Sequence, residues 1–273
     1  MKSKAAALAK LHHAPPLLVL PNAWDAASAR LFEDAGFPAV GTTSAGIAFA
    51  LGHADRQKIS LDEMAEAVGR IVRAVQVPVT ADMEAGYGDV ARAVSAALDA
   101  GAVGMNLEDA THERGRALFT REEQVERIQE ARRTADARGI PLVLNARTDL
   151  FLLAQDPGVE PVFEAIERLN AYRQAGADCL FAPGITDKLR IEALAKAVRG
   201  PLNVLAGAGT PPVAELELLG VARLSVGSGP MRATMDLTRR IAKELRESGT
   251  YTLLTEETLS YADANKLMGR RVP

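Results

Sequence analysis

The chain has 273 residues, of which 48% are hydrophobic and 25% are charged, as in an ordinary soluble globular protein. Its net charge of −3 gives no reason to expect binding to nucleic acid or to an anionic membrane surface. A single cysteine excludes a disulfide within the chain and fits a reducing cytoplasm. Since no apolar run approaches the roughly 20 residues that cross a bilayer, we expect a cytoplasmic protein.

In chain order, residues 1–14 predict a short helix that carries His12 and His13 on its surface. Apolar, β-rich runs then recur, and helical stretches separate them. These runs predict eight strands, at residues 17–23, 39–44, 77–84, 104–109, 141–148, 178–183, 202–206 and 223–227. Residues 248–273 predict a helical extension beyond the eighth unit, with a helix at 255–267.

Capping signals mark the ends of the predicted helices. Ser60 with Glu63, and Thr120 with Glu123, have the spacing of a capping box, in which hydroxyl and carboxylate satisfy the first free amides. Several helices are followed by a glycine and small apolar residues, and this glycine predicts a left-handed C-cap before the next strand.

The alternation of eight strands with helices indicates a parallel α/β fold. A closed (β/α)8 barrel of the TIM type fits the strand count and the length, and we expect a single barrel domain over residues 1–273. The alternative is an open, doubly wound sheet. Against that alternative, no GxGxxG motif of a dinucleotide site follows the first predicted strand.

Acidic side chains fall at the ends of two neighbouring predicted strands. Asp82 and Glu84 end the third strand, and Glu108 and Asp109 end the fourth. Alternation along a strand places Asp82 and Glu84 on one face, opposite the apolar side chains. Clustered carboxylates repel one another unless a cation or a proton lies among them, and oxygen ligands without Cys or His suit Mg²⁺ or Mn²⁺. The sequence therefore predicts a metal site.

Arg147, at the end of the fifth predicted strand, would reach the same mouth of a barrel. Its guanidinium either binds a substrate carboxylate through a bidentate fork or neutralises Glu108 or Asp82 in a salt bridge.

Two further segments are candidates for the mouth. The amides of Ser44, Ala45 and Gly46 either receive an anion or form an ordinary turn. His112 lies in THERGRALFT, a predicted lid after the fourth strand, where it either moves a proton or belongs to a solvated charged loop.

Five motifs follow one another in a specific order: NAWDAASARLFEDAGFPAVGTTSAG, DMEAGYG, NLED, NARTD and PLNVLAGAGTPPVAELELLGVARLSVG. With them the chain resembles the isocitrate lyase/phosphoenolpyruvate mutase superfamily over roughly residues 15–245. The likeness is strongest to the poorly characterised bacterial members described as phosphonomutase-like.

The resemblance implies a (β/α)8 barrel whose last helix is exchanged with a neighbouring subunit, in a homotetramer built as a dimer of dimers. It implies Mg²⁺ or Mn²⁺ bound mainly by Asp82, with Glu84 and Glu108 acting through water and Asp55 near the metal.

The resemblance also implies a small 2-oxo or 2-hydroxy acid as substrate, and cleavage of a C–C or P–C bond through a metal-stabilised enolate. From it we assign catalysis to Asp55 and Arg147, and from its place in the predicted lid we add His112. Substrate binding is assigned to the residues that would surround the acid: Trp24, Thr43, Ser44, Ala45, Gly46, Asp82, Arg147 and Asn203.

Two departures from the family limit the choice of reaction. The loop EDATHERGRALF lacks the Cys and the paired Lys of the KKCGH-type loop of isocitrate lyases, and the Lys and Asn of the mutase loops. The stretch NVLAGAG is small and apolar where the lyases hold a distal carboxylate. Isocitrate lyase, phosphonomutase and phosphonopyruvate hydrolase activities are therefore less favoured than decarboxylation of oxaloacetate, which requires least of the lid.

The sequence leaves two other functions to compare with this one. A non-catalytic 2-oxo acid binder or sensor would keep the metal-binding and acid-binding residues without the acid–base loop. A Schiff-base aldolase requires a lysine at the mouth, and the predicted strands place none there.

Overall fold

Parallel strands and helices alternate along the part of the chain that the structure describes. This computed structural model describes residues 1–13, 15–113, 115–153, 161–256 and 258–269, with the backbone alone at residues 112 and 113. The strands are β1 (Leu18–Leu20), β2 (Asn22–Ala23), β3 (Val40–Thr42), β4 (Val79–Asp82), β5 (Gly104–Glu108), β6 (Ala110–Glu113), β7 (Arg116–Leu118), β8 (Val143–Arg147), β9 (Cys179–Ala182), β10 (Leu202–Leu205) and β11 (Arg223–Ser225).

The helices follow most strands and surround the sheet. They are α1 (Lys2–Leu11), α2 (Ala26–Asp34), α3 (Ser44–Ala50), α4 (Leu61–Ala74), α5 (Val90–Asp99), α6 (Arg121–Ala137), α7 (Leu150–Leu153), α8 (Val162–Gln174), α9 (Lys188–Ala197), α10 (Val213–Leu218), α11 (Gly229–Glu247), α12 (Thr252–Thr255) and α13 (Tyr261–Met268). A search of the described residues for a helix able to span a bilayer finds none.

The first predicted strand closes the sheet into a barrel. It is divided at Pro21, so that β1 pairs in parallel with β11 and β2 pairs in parallel with β3. Between these two pairs the strand order runs β11-β10-β9-β8-β5-β4-β3, all parallel. The prediction of a TIM-type barrel is confirmed, and the open doubly wound sheet is wrong, because an open sheet would leave the first and last strands apart.

The capping predictions are confirmed. Ser60 with Glu63 begins α4, and Thr120 with Glu123 begins α6, each with both reciprocal bonds of a capping box. At the C-terminal end of α8, Gly176 adopts a φ of 115°, where a residue with a Cβ would be strained. Local sequence therefore sets where these helices begin and end.

Helix α1 closes the barrel at the N-terminal ends of the strands. Leu8 is fully buried in a cluster with Leu18, Leu20 and Val143, and a Cβ added at Gly104 would lie 2.8 Å from its Cδ2 atom. The predicted N-terminal helix is thus confirmed, but its placement of His12 on the surface is wrong. His12 is 4% exposed, and its Nδ1 lies 2.8 Å from the carbonyl of Leu8.

Three local predictions differ from the structure. The third strand ends at Asp82 rather than at residue 84, because Glu84 has a φ of 49° that is incompatible with an extended strand. The predicted lid is an antiparallel hairpin of β6 and β7 rather than a loop. The predicted C-terminal helix at 255–267 is divided into α12 and α13; residues 257 and 270–273 lie outside the described residues.

Candidate active site

Asp82, the last residue of β4, accepts three hydrogen bonds at the C-terminal edge of the barrel. Its Oδ2 atom accepts hydrogen bonds from the amide of Ser44 at 3.1 Å and the hydroxyl of Ser44 at 2.8 Å. Its Oδ1 atom accepts from Nδ2 of Asn106 at 3.3 Å. Asn106 in turn accepts from Nδ2 of Asn145 at 2.8 Å, one strand further on. This row of amides fixes the orientation of a carboxylate that is only 8% exposed.

Glu84 lies two residues beyond Asp82, in a tight turn. Its Oε2 atom accepts from the amide of Gln57 at 2.8 Å, and its Oε1 atom accepts from the hydroxyl of Tyr87 at 3.0 Å. Glu84, Gln57, Tyr87 and Arg56 all have positive φ angles, which cost energy in residues with a Cβ. Among the described non-glycine residues only these four do, so the strained backbone is concentrated where the loop after α3 meets Glu84.

The electrostatics of Glu84 show that this edge carries excess negative charge. Burial raises the pKa of Glu84 from 4.5 to about 8, and the nearby carboxylates of Glu108, Asp82 and Asp55 add to the shift. The carboxylate form of Glu84 is therefore disfavoured in the protein alone, and a cation would favour it.

Arg147, at the end of β8, places a cation against this cluster. Its Nη1 atom lies 2.9 Å from Oε2 of Glu108, and its Nε and Nη2 atoms donate to the carboxylate of Asp149. Although burial alone would lower the pKa of Arg147, Glu108 and Asp149 raise it. The neutralising salt bridge that the sequence allowed for Arg147 is thus present, and the guanidinium still lines the cavity.

The donors present suit a hard cation, with few direct protein ligands. Asp82, Glu84 and Glu108 offer oxygen atoms only, which Mg²⁺ and Mn²⁺ prefer. Over the described ranges, however, no three His, Cys, Asp or Glu side chains are arranged so that they could hold a metal ion. A cation at this edge would complete its coordination with water or substrate oxygens, as Mg²⁺ commonly does.

A cavity of about 740 Å³ opens above these residues. Its acidic wall includes Asp55, Glu84 and Glu108, whereas Arg56, Lys58, Arg116 and Arg147 supply positive charge. Arg116 belongs to the β6–β7 hairpin, and its guanidinium pairs with Glu123. Because both charges lie in its walls, the cavity fits a charged polar ligand better than an apolar one.

The segment predicted to receive an anion is already engaged within the chain. Ser44 donates its amide to Asp82, and the amide of Gly46 donates to Oγ1 of Thr43, which caps α3. A Cβ at Gly46 would lie 2.6 Å from Thr43 Cγ2 and 3.0 Å from Trp24 Cβ, so only glycine fits there. An anion bound by Ser44, Ala45 and Gly46 would have to displace these bonds, and that role stays a prediction.

The remaining predicted site residues lie at different depths. Asp55 is exposed in the wall of the cavity, and Trp24 is half-buried beside α3. Asn203 is fully buried inside the barrel, where it bonds Oγ of Ser225 rather than the residues of the cavity. The side chain of His112 lies outside the described part of the structure.

Sequence reasoning missed Gln57, Tyr87 and Asp149. Tyr87 and Asp149 stand inside the quoted motifs DMEAGYG and NARTD, so their position in the motifs was an available signal. Gln57 contributes its backbone amide, which any residue possesses, so its side-chain identity gave no signal.

Known proteins match this chain over most of its length. The family model of phosphoenolpyruvate phosphomutase matches residues 8–246. An oxaloacetate decarboxylase of Rhodopseudomonas palustris (strain BisB5) is 32% identical over 250 residues, covering 86% of this chain and 82% of the relative. A 2-methylisocitrate lyase of Escherichia coli (strain K12) is 31% identical over 238 residues, covering 81% and 77%.

Solved structures share the fold. A Burkholderia cenocepacia J2315 protein with a provisional lyase/mutase assignment superimposes with a TM-score of 0.92 at 40% identity, covering 98% of this chain and 96% of that one. Oxaloacetate acetylhydrolase in complex with the inhibitor 3,3-difluorooxalacetate gives a TM-score of 0.86 at 28% identity, covering 98% and 93%.

Proposed function

This chain belongs to the phosphoenolpyruvate phosphomutase family, within the isocitrate lyase/phosphoenolpyruvate mutase superfamily, and on that premise we propose that it is a Mg²⁺-dependent decarboxylase of oxaloacetate or a close 2-oxo acid. The relatives are lyases, decarboxylases and mutases, so the chain is an enzyme of the carbon–carbon lyase type. The narrower substrate is our proposal, and the geometry of the site supports it.

One observation carries the proposal: three buried carboxylates, Asp82, Glu84 and Glu108, meet Arg147 at the C-terminal edge of the barrel, where a cavity opens. In barrels of this type the chemistry takes place at that edge. Asp82 would be the main ligand of Mg²⁺, and Glu84 and Glu108 would act through water. When bound, Mg²⁺ supplies a Lewis acid that polarises the oxo group of the substrate.

The chain's own residues would bind and orient the acid. The Nη1 and Nη2 atoms of Arg147 each keep one N–H beyond those that Glu108 and Asp149 engage, and these would hold the substrate's oxygen atoms. In oxaloacetate the bond between C3 and the C4 carboxylate would break, and its electron pair would form the enolate of pyruvate as CO₂ leaves. A proton from water or from His112 would then reach C3.

The direct test follows pyruvate formation from oxaloacetate by NMR, with Mg²⁺ and with EDTA. Asp82→Ala should lower metal-dependent turnover by about 100-fold or more, since it removes the main ligand of the ion that stabilises the developing charge. Glu66→Gln, which removes an exposed α4 glutamate paired with Arg70, is the matched control and should keep full activity. Equal turnover in wild type and Asp82→Ala would overturn the proposal.

A second candidate is a 2-oxo acid sensor without turnover. The described residues that line the cavity include no histidine or cysteine, which are common acid–base and nucleophilic groups. Metal-dependent binding of pyruvate or oxaloacetate without product in the same NMR experiment would favour the sensor.

A further inference from the structure

Asp109 follows Glu108 directly but takes no part in the chemistry proposed above. Its carboxylate is 0% exposed and is enclosed by donors. Its Oδ1 atom accepts from the backbone amide of Asp149 at 2.9 Å, and its Oδ2 atom accepts from the hydroxyl of Tyr172 at 2.8 Å. Nη1 of Arg168 lies 3.4 Å from the same Oδ2 atom. A buried carboxylate with this many partners fixes whatever segments those partners belong to.

One of those segments is the turn after β8, which carries Asp149, the residue whose side chain binds Arg147. The amide of Asp149 donates to the carboxylate of Asp109, while the carboxylate of Asp149 accepts hydrogen bonds from Nε and Nη2 of Arg147. In addition, the amide of Asp109 donates to the carbonyl of Arg147 at 3.1 Å. Asp109 therefore fixes the turn after β8 through two bonds, and this turn aims Asp149 at Arg147. The Nη1 atom of Arg147 pairs with Glu108 on the other side.

The other segment is the β6–β7 hairpin over the cavity. The amide of Phe119 donates to the carbonyl of Asp109 at 2.8 Å, and Nη1 of Arg168 donates to the carbonyl of Phe119 at 2.9 Å. Asp109 and Phe119 directly flank the hairpin, because β6 begins at Ala110 and β7 ends at Leu118. The base of the hairpin is thus tied to the backbone of Asp109 directly and to its buried carboxylate through Arg168.

We propose that Asp109 is a positioning residue whose carboxylate sets the orientation of Arg147 through Asp149 and, through Arg168, anchors the base of the hairpin that lines the cavity. The inference rests on the proposed function for its substrate, a 2-oxo acid held by Arg147. It assigns Asp109 no contact with substrate or metal.

The test uses the full chain and four variants: Asp109→Asn, Asp149→Asn, the double variant, and Glu164→Gln as the control. Glu164 pairs with Arg168 from a half-exposed position, so its loss leaves Asp109 in place and should change nothing. Tyr172→Phe, which removes one donor to Asp109, serves if Asp109→Asn does not fold. Pyruvate binding with saturating Mg²⁺ is measured by calorimetry, and Mn²⁺ binding without pyruvate is measured by electron paramagnetic resonance.

We expect the dissociation constant for pyruvate to rise roughly tenfold in Asp109→Asn and in Asp149→Asn, and no further in the double variant, because both act through one contact. Mn²⁺ affinity should change by less than about twofold, which a general loss of structure would not permit. Unchanged pyruvate affinity in the folded Asp109→Asn protein, or additive losses in the double variant, would overturn the inference.

Hydrogen exchange separates failure of this inference from failure of the proposed function. If wild type neither converts oxaloacetate to pyruvate nor binds pyruvate, the proposed function fails. Positioning by Asp109 is then judged from the amides of residues 115–119 and 147–150 alone. Faster exchange of both segments in Asp109→Asn, relative to Glu164→Gln, supports the anchor, and unchanged exchange overturns it.

Discussion

At Glu84, three physical features coincide. The side chain is buried, its backbone is left-handed, and it accepts bonds from Gln57 and Tyr87. A strained residue persists only where its surroundings hold it in place, and such residues cluster at functional sites. The turn therefore keeps a carboxylate close to Asp82 and Glu108 despite their repulsion.

The pKa of Glu84 predicts how pH affects the stability of the metal-free protein. Because this pKa is raised from 4.5 to about 8, the folded state keeps a proton that the unfolded state releases above pH 4.5. The resulting stabilisation is complete below pH 4.5 and is lost as the pH rises through about 8. In EDTA, the melting temperature of Glu84→Gln should therefore fall less than that of wild type between about pH 5 and pH 8.

Saturating Mg²⁺ should weaken or reverse the wild-type trend, because the ion binds the carboxylate form. Glu66→Gln, which removes an exposed glutamate of α4, is the control and should follow the wild-type profile. Melting temperatures that fall by the same amount in wild type and Glu84→Gln across this pH range in EDTA would contradict the assigned environment of Glu84.

The sequence predicted the positions of some site residues correctly and could not predict the partners or burial of others. The predicted strand ends brought Asp82 and Glu108 to one edge, because neighbouring parallel strands end at the same edge. Strand alternation did not place Glu84, because β4 ends at Asp82 and the backbone of Glu84 is left-handed. The partner of Arg147 could not be chosen from sequence, since Asp149 reaches it only after the turn that Asp109 fixes. The burial of His12 was missed because α1 packs into the end of the barrel, a tertiary contact that helical periodicity does not encode.

Among the elements, α11 is the one whose sequence and environment disagree. It spans 19 residues, and none of them is buried. Met235 and Leu245 are each 47% exposed, and they belong to an apolar stripe with Met231 and Ile241 at helical spacing. A stripe of this length exposed to water usually marks an interface. We propose that α11 packs against a second copy of the chain, in the exchanged arrangement that the family resemblance implies.

This proposal predicts that Met235→Asp weakens self-association. A charge placed in an apolar contact loses its hydration without gaining a partner, so the dissociation constant of the oligomer should rise by about tenfold or more. Lys243→Ala, on the charged side of the same helix, is the control and should leave association unchanged. Sedimentation velocity measures both variants; a monomeric wild type, or an unaffected Met235→Asp oligomer, would contradict the prediction.

Local signals predicted most element boundaries. The capping boxes at Ser60 and Thr120 placed two helix starts correctly, because a capping box is defined by four consecutive residues. The β6–β7 hairpin was read as a loop, since its charged sequence has neither alternating hydrophobicity nor the turn pair of a tight hairpin. Its strands are fixed instead by the anchor at Asp109 and Phe119.

For the molecule as a whole, the barrel brings distant parts of the chain together at one edge. Asp82, Glu108 and Arg147 end three strands, and the pairing β4-β5-β8 makes them neighbours. At the opposite end α1 closes the barrel, and the cavity opens where the carboxylates lie. Strand counting predicted this architecture, whereas closure itself depended on Pro21 dividing the first strand between two neighbours.

The central claim is that one site formed by Asp82, Glu84, Glu108 and Arg147 binds a metal ion and a 2-oxo acid together. Isothermal titration calorimetry with pyruvate, oxaloacetate, 2-oxoglutarate and phosphonopyruvate, each with Mg²⁺ and with EDTA, tests it most directly. We predict binding of at least one of these acids that requires Mg²⁺ and is lost in Asp82→Ala. Absence of binding for all four acids, or equal binding in EDTA, would show that these residues do not form such a site.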